Sequence, residues 1–155
     1  MEGSKLMLPV DYTPQLGVRQ TQKAIKELRE VVQNNLAAAL HLQRLSAPLF
    51  VSADSGLHDN LSVVERPVAF VIPDTGDNVQ IVQSLAKWKR QALGVYGFPQ
   101  GEGMFTDMNA IRRDERLDNL HSVYVDQWDW EAVIDESDCT EDKLRDTVDK
   151  IYGAL

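Results

Sequence analysis

From Val18 to about Leu40 the apolar residues Ile25, Leu28, Val31, Val32 and Leu36 recur at three- and four-residue steps, the period of an amphipathic helix. Lys23, Lys26, Glu27, Arg29 and Glu30 fall on the opposite face and are expected in water. This helix runs directly into "LHLQRLSAPLFVS" (40–52), an extended segment that Pro48 must interrupt, because proline has no N–H to give a strand ladder. A long helix feeding a kinked strand restricts the fold more than composition does.

The remaining segments extend that start. "SADSGLHDN" (52–60) is rich in turn formers and reads as a loop. "RPVAFVIP" (66–73) followed by "DTGDN" reads as a strand and turn, the beginning of a hairpin. "VQIVQSLAKWKRQALGVYG" (79–97) begins with a strand pattern and changes to helical spacing, with Leu85, Trp88 and Leu93 on one side and Gly94 and Gly97 closing it. Residues 104–112 and 120–130 read as two strands flanking the charged connector "RRDERLDN". Thr140 is an N-cap for a last helix with Leu144, Val148, Ile151 and Tyr152 on one stripe, and apolar Ile151, Tyr152 and Leu155 at its end must dock on something or fray in water. The order favours an α+β domain with a mostly antiparallel sheet, residues 18–155 after an irregular arm at 1–17.

Charge and cysteine content exclude several classes. With 16 basic and 24 acidic residues the net charge is −8, which opposes non-specific binding to nucleic acid or to anionic membranes. No stretch approaches the roughly 20 apolar residues of a membrane span, and the first dozen residues lack the apolar core of a signal peptide. The single cysteine, Cys139, permits neither an intrachain disulfide framework nor a multi-cysteine metal site, and a reducing, cytoplasmic setting fits best. Acidic neighbours would raise its thiol pKa rather than activate it. His58 and His121 lack partners at metal-ligand spacing, so no zinc site is expected. "GEG" at 101–103 falls short of any phosphate-binding loop.

Chemistry concentrates in "LHSVYVDQWDWE" (120–131). Alternation puts Val123, Val125, Gln127 and Asp129 on one face of a strand, and Ser122, Tyr124, Asp126, Trp128 and Trp130 on the other. Gln127 and Asp129 are then either wet strand residues or the polar groups of a cleft that binds an amine. Ser84, Lys87 and Lys89 offer the same choice between solvated surface and an anion site. In the connector, Arg112 and its neighbours are either a charged turn or a clamp on phosphate or carboxylate.

Taken together, "DNLS" (59–62), "SLAKWKRQALG" (84–94), "GEGMFTDMNAIRRDE" (101–115) and "LHSVYVDQWDWE" closely resemble ammonia-dependent asparagine synthetase, the aspartate–ammonia ligase family, from about residue 25 to the end. The resemblance implies a class II aminoacyl-tRNA synthetase-like antiparallel sheet flanked by helices. It implies a homodimer through the helix 18–40 and the Pro48 segment, and AMP-forming ligation of ammonia to the side-chain carboxylate of L-aspartate through aspartyl-adenylate, with ATP and magnesium. Under it, Arg112, Lys89 and Asp59 are catalytic. Ser84, Lys89, Gln127 and Asp129 bind the amino acid, and Arg112, Glu115 and His121 lie at the nucleotide.

The pattern also has departures: His58 stands for glutamine, Ser55 for aspartate, Gln83 for histidine and Arg113 for proline. The family's third motif and its magnesium-binding acidic residues are not in the chain, which is expected to be the N-terminal portion of such an enzyme, the fold incomplete without its C-terminal half. The alternative is a non-catalytic remnant serving as a dimerisation or interaction module. A class II synthetase-like protein acting on another amino acid fits the Lys89 and Gln127 contexts less well.

Overall fold

The computed structural model describes residues 7–59, 61 and 64–155. Residues 7–17 run without helix or strand into α1 (Val18–Leu40), whose first turn is closed by the Gln20 carboxamide accepting the Gly17 N–H at 3.0 Å. His41 ends the helix in the left-handed region, φ 53°, with its N–H on Ala37 O. The chain then passes through β1 (Leu42–Arg44), Pro48 and β2 (Phe50–Ser52). The expected break at Pro48 therefore separates two short strands that join different sheets.

β3 (Ala69–Val71) and β4 (Asn78–Ile81) form the expected hairpin, with Gly76 supplying the positive φ of its turn. β2 adds to the other edge of β4, giving an antiparallel sheet in the order β2-β4-β3. α2 (Ala86–Val95) follows, then β5 (Gly103–Ile111) and β6 (Tyr124–Ala132), paired antiparallel from Gly103↔Ala132 to Ile111↔Tyr124. β1 joins the free edge of β5 in parallel. α3 (Glu141–Ala154) is capped as expected, with Thr140 Oγ1 accepting the Lys143 N–H at 3.2 Å.

The core lies between β5–β6, the second sheet and α2. Val51, Val82, Leu85, Met108 and Ala110 are buried together, and Ala47, Leu57, Trp88 and Val125 pack around them. Each fully buried Leu or Val of this kind contributes about 1.5–3 kcal/mol. Close packing is also enforced at Gly103, where a Cβ would overlap the Glu131 carbonyl oxygen and lie 2.8 Å from Ala132 Cα and Leu42 Cδ2.

One expectation about a helix face needs correction, and the open choice for the last helix resolves residue by residue. Arg29 of α1 is not in water on the far side. It reaches the sheet, paired with Asp126 and 3.7 Å from Asp107, with its guanidinium 5.5 Å over the Trp128 ring. Arg29 lies one turn beyond Ile25, so charge pairing and a cation–π contact anchor this side of α1 to the sheet. Ile25, Leu28 and Val31 are left exposed at 44%, 64% and 56%. On α3, Lys143, Thr147, Ile151 and Ala154 turn inward, the last accepting a hydrogen bond from the Asn35 side chain. Of the three residues expected to dock or fray, Ile151 is half-buried while Tyr152 and Leu155 stay exposed, as do Leu144 and Val148.

Candidate active site

α2 lies across the face of the β5–β6 sheet that carries Met104, Thr106, Met108 and Ala110, all buried. Their register partners on β6 are Glu131, Asp129, Gln127 and Val125, so the alternation read from the sequence is the one observed. Three polar side chains of β6 thus sit on the face that α2 covers.

Lys89 projects from α2 into this layer and is 3% exposed. Its ammonium lies 2.6 Å from Asp129 Oδ1 and 3.4 Å from Glu131 Oε2, and donates to Trp130 O at 3.0 Å. Buried ammonium needs such compensation. Lys89 and Asp129 are therefore joined to each other, and Lys89 lies in company with two carboxylates. Glu131, not singled out from the sequence, also lies 3.5 Å from Arg90 Nε. The signal for it was the same alternation, carried one step beyond Asp129.

The other side chains divide into occupied and unoccupied groups. Asp59 accepts the Lys87 N–H at 3.0 Å. Leu85, the N-cap of α2, makes no side-chain cap bond, so Asp59 caps this helix from a loop 28 residues away, where its charge also suits the helix dipole. Ser84 is half-buried just before that helix start. Gln127 Nε2 and Arg112 Nε are buried donors without a hydrogen-bond partner. The Arg112 N–H donates to Val123 O at 2.7 Å, continuing the β5–β6 register, so Arg112 falls on the same face as Gln127.

The connector beyond Arg112 is tied down locally. The Glu115 N–H donates to Arg112 O, and its carboxylate accepts the Arg116 N–H. The His121 ring lies 2.8 and 3.0 Å from the two Asp118 carboxylate oxygens, which raises the imidazole pKa above 6.5. Arg66 grips Asp114 through its guanidinium at 2.6 and 3.1 Å and its backbone N–H at 2.9 Å, holding the Asp114 carboxyl at about 2.

Two of the departures from the family pattern meet in space. His58 and Gln83, 8% and 1% exposed, approach to 3.5 Å between Nε2 and Oε1. Of the "DNLS" segment, Asn60 and Ser62 lie outside the described residues. Among the described residues no three His, Cys, Asp or Glu side chains converge to hold a metal ion.

The antiparallel β5–β6 sheet with α2 laid on it has a class II aminoacyl-tRNA synthetase-like fold. The structure of Desulfitobacterium hafniense PylSc, a pyrrolysyl tRNA synthetase, superposes with a TM-score of 0.51 over 88% of this chain and 51% of that one, at 14% identity. The AsnA family model, aspartate–ammonia ligase, matches residues 19–155. The chain belongs to the aspartate–ammonia ligase family. It is 58% identical over 98% of its length to an aspartate–ammonia ligase of Lactobacillus delbrueckii subsp. bulgaricus. To one of Ruminiclostridium cellulolyticum it is 56% identical, again over 98%. It spans 46% of each, about half the length of the curated relatives it matches.

Proposed function

We propose that the α2-facing surface of β5–β6 is one wall of an active site that makes L-asparagine from L-aspartate, ammonia and ATP in a cytoplasmic setting. The observation that carries this reading is the pair of buried, unpartnered donors, Arg112 Nε and Gln127 Nε2, on the sheet face that Lys89 reaches from α2. Buried donors without acceptors are costly in a resting fold and suit an anionic or carbonyl-bearing ligand.

In this reading the aspartate side-chain carboxylate attacks the α-phosphorus of ATP. The bond to the bridging oxygen breaks, pyrophosphate leaves, and a mixed anhydride forms. Ammonia then adds to the anhydride carbonyl, loses a proton, and expels AMP. Arg112 offsets charge on the transferring phosphoryl oxygens, the usual dominant contribution at such sites. Gln127 donates to an aspartate oxygen, and Lys89 with Ser84 orients the amino acid for attack. Asp129 and Asp59 lie at the amino group or the incoming ammonia, and Glu115 and His121 belong to the nucleotide side. Magnesium would screen the phosphate charges when bound. The described residues do not form a ligand set for it, and no step here is routed through the ion.

The test joins this chain to the remaining half of the Lactobacillus delbrueckii relative and assays asparagine and pyrophosphate from aspartate, ATP and ammonia. Turnover is expected, with Arg112→Ala lowering kcat/KM by about 100-fold or more. A folded, inactive chimera would remove the reading. Inactivity with retained self-association would favour an interaction module, for which the exposed Ile25, Leu28 and Val31 of α1 are the motivating surface.

A further inference from the structure

Gln83 is buried between two partners that demand opposite things of its carboxamide. Its Nε2–H donates to Arg66 O at 3.3 Å, and its Oε1 faces His58 Nε2 at 3.5 Å. The Arg66 carbonyl only accepts, so the amide cannot be reversed without opposing two oxygens. Gln83 Oε1 is then the acceptor, and the proton of a neutral His58 sits on Nε2. His58 Nδ1, buried without a partner, is the bare nitrogen.

These bonds form part of a chain that spans the candidate site. At one end, His58 O accepts from Lys87 Nζ at 3.2 Å, and the next residue, Asp59, caps α2. At the other end, Arg66 holds Asp114 by three hydrogen bonds, two residues beyond Arg112. His58, Gln83, Arg66 and Asp114 come from four separate stretches of sequence. Through them the 56–59 loop is tied, by way of Gln83 and Arg66, to the connector that begins at Arg112.

We infer that His58, Gln83, Arg66 and Asp114 form a positioning relay. It fixes the loop of Asp59 relative to the connector of Arg112 and Glu115, and it holds His58 as the Nε2–H tautomer. None of the four is assigned contact with reacting atoms. They act through Asp59 and Arg112, and their kinetic role, though not the relay's existence, rests on the proposed function.

The relay is tested on the full 155-residue chain by imidazole-nitrogen and backbone-amide NMR. The expected wild-type spectrum has a protonated Nε2 and a bare Nδ1 for His58. Asp114→Asn is expected to shift the amide signals of Asp59 and Lys87, across the whole relay. Gln83→His and His58→Gln are each expected to lower the thermal midpoint, and the double exchange to recover most of the loss, because a His–Gln contact is restored in reverse. An Nδ1–H tautomer, shifts confined to the connector, or losses in the double variant equal to the sum of the singles would overturn the relay.

In the chimera, Gln83→Leu is expected to raise KM for aspartate about fivefold with kcat changed less than about twofold, the scale of coupling through such networks. The reciprocal exchange should bring KM back. Unchanged KM in an active chimera would overturn the positioning role. An inactive wild-type chimera would remove the proposed function alone, leaving the NMR and exchange results to decide the relay.

Discussion

The ammonium of Lys89 lies 2.6 Å from Asp129 Oδ1, joining α2 to β6 inside the layer that forms the candidate site, with 4% of the lysine side chain exposed. Removing the cation would strand Asp129 and Glu131, whose side chains are 34% and 26% exposed. Stranding a fully buried partner costs about 3–5 kcal/mol, and partial access to water reduces this to about 2 kcal/mol for Lys89→Met. The urea midpoint should fall accordingly, and Asp129→Asn combined with Lys89→Met should cost less than the sum of the two single changes. Additive losses would show that the contact contributes no coupling.

Acid should act on Asp114. Arg66 holds its carboxyl at about 2 against an ordinary 3.8, so the carboxylate contributes stability that is complete above 3.8 and is lost as pH falls towards 2. His121, raised by Asp118, works in the opposite direction. Its contribution is present below 6.5 and is lost as pH rises through the higher folded value. Urea midpoints across this range should decline at both ends. Asp114→Asn should flatten the acid limb and His121→Gln the neutral one, while an unchanged acid limb in Asp114→Asn would contradict the assignment.

Gly103 should not tolerate a side chain. β5 is the central strand, and a methyl group there would meet backbone on β6 as well as the flexible Leu42 side chain. Gly103→Ala is expected to cost about 3 kcal/mol, at the upper end for overpacking, read as a lower thermal midpoint. Gly94, with nothing near its missing Cβ inside α2, should accept alanine and gain about 0.5–1 kcal/mol.

Self-association should run through α1. Its Leu28 and Val31 are exposed at 64% and 56%, and Ile25 lies one turn from Arg29, which ties the helix to the sheet. Exposed apolar surface of this kind marks an interface. Sedimentation should find a dimer that Leu28→Lys shifts towards monomer. A monomeric wild-type chain would contradict this.

Local chemistry was readable from the sequence wherever neighbours in the chain decide it. Pro48 divides an extended segment because proline lacks an N–H, and Thr140 caps α3 because its hydroxyl reaches an amide three residues on. The face shared by Val125, Gln127 and Asp129 follows from strand alternation alone. What could not be read depends on contacts between distant segments. Asp59 capping α2, Arg29 crossing to Asp107 and Asp126, and Arg66 gripping Asp114 are set by the folded arrangement. The docked side of α3 was open for the same reason. A helix packed through Lys143, Thr147, Ile151 and Ala154 leaves Leu144 and Val148 outside, and periodicity cannot say which side a neighbour takes.

If Lys89, Gln127 and Arg112 line one wall of a site that adenylates aspartate, an oxygen atom must pass from the amino acid to AMP. Aspartate carrying heavy oxygen in its side-chain carboxylate would be supplied with ATP and ammonia to the active chimera, and the products read by mass spectrometry. One labelled oxygen is expected in AMP, left there when ammonia cleaves the anhydride. Label in inorganic phosphate, with ADP as the other product, or unlabelled AMP would contradict it.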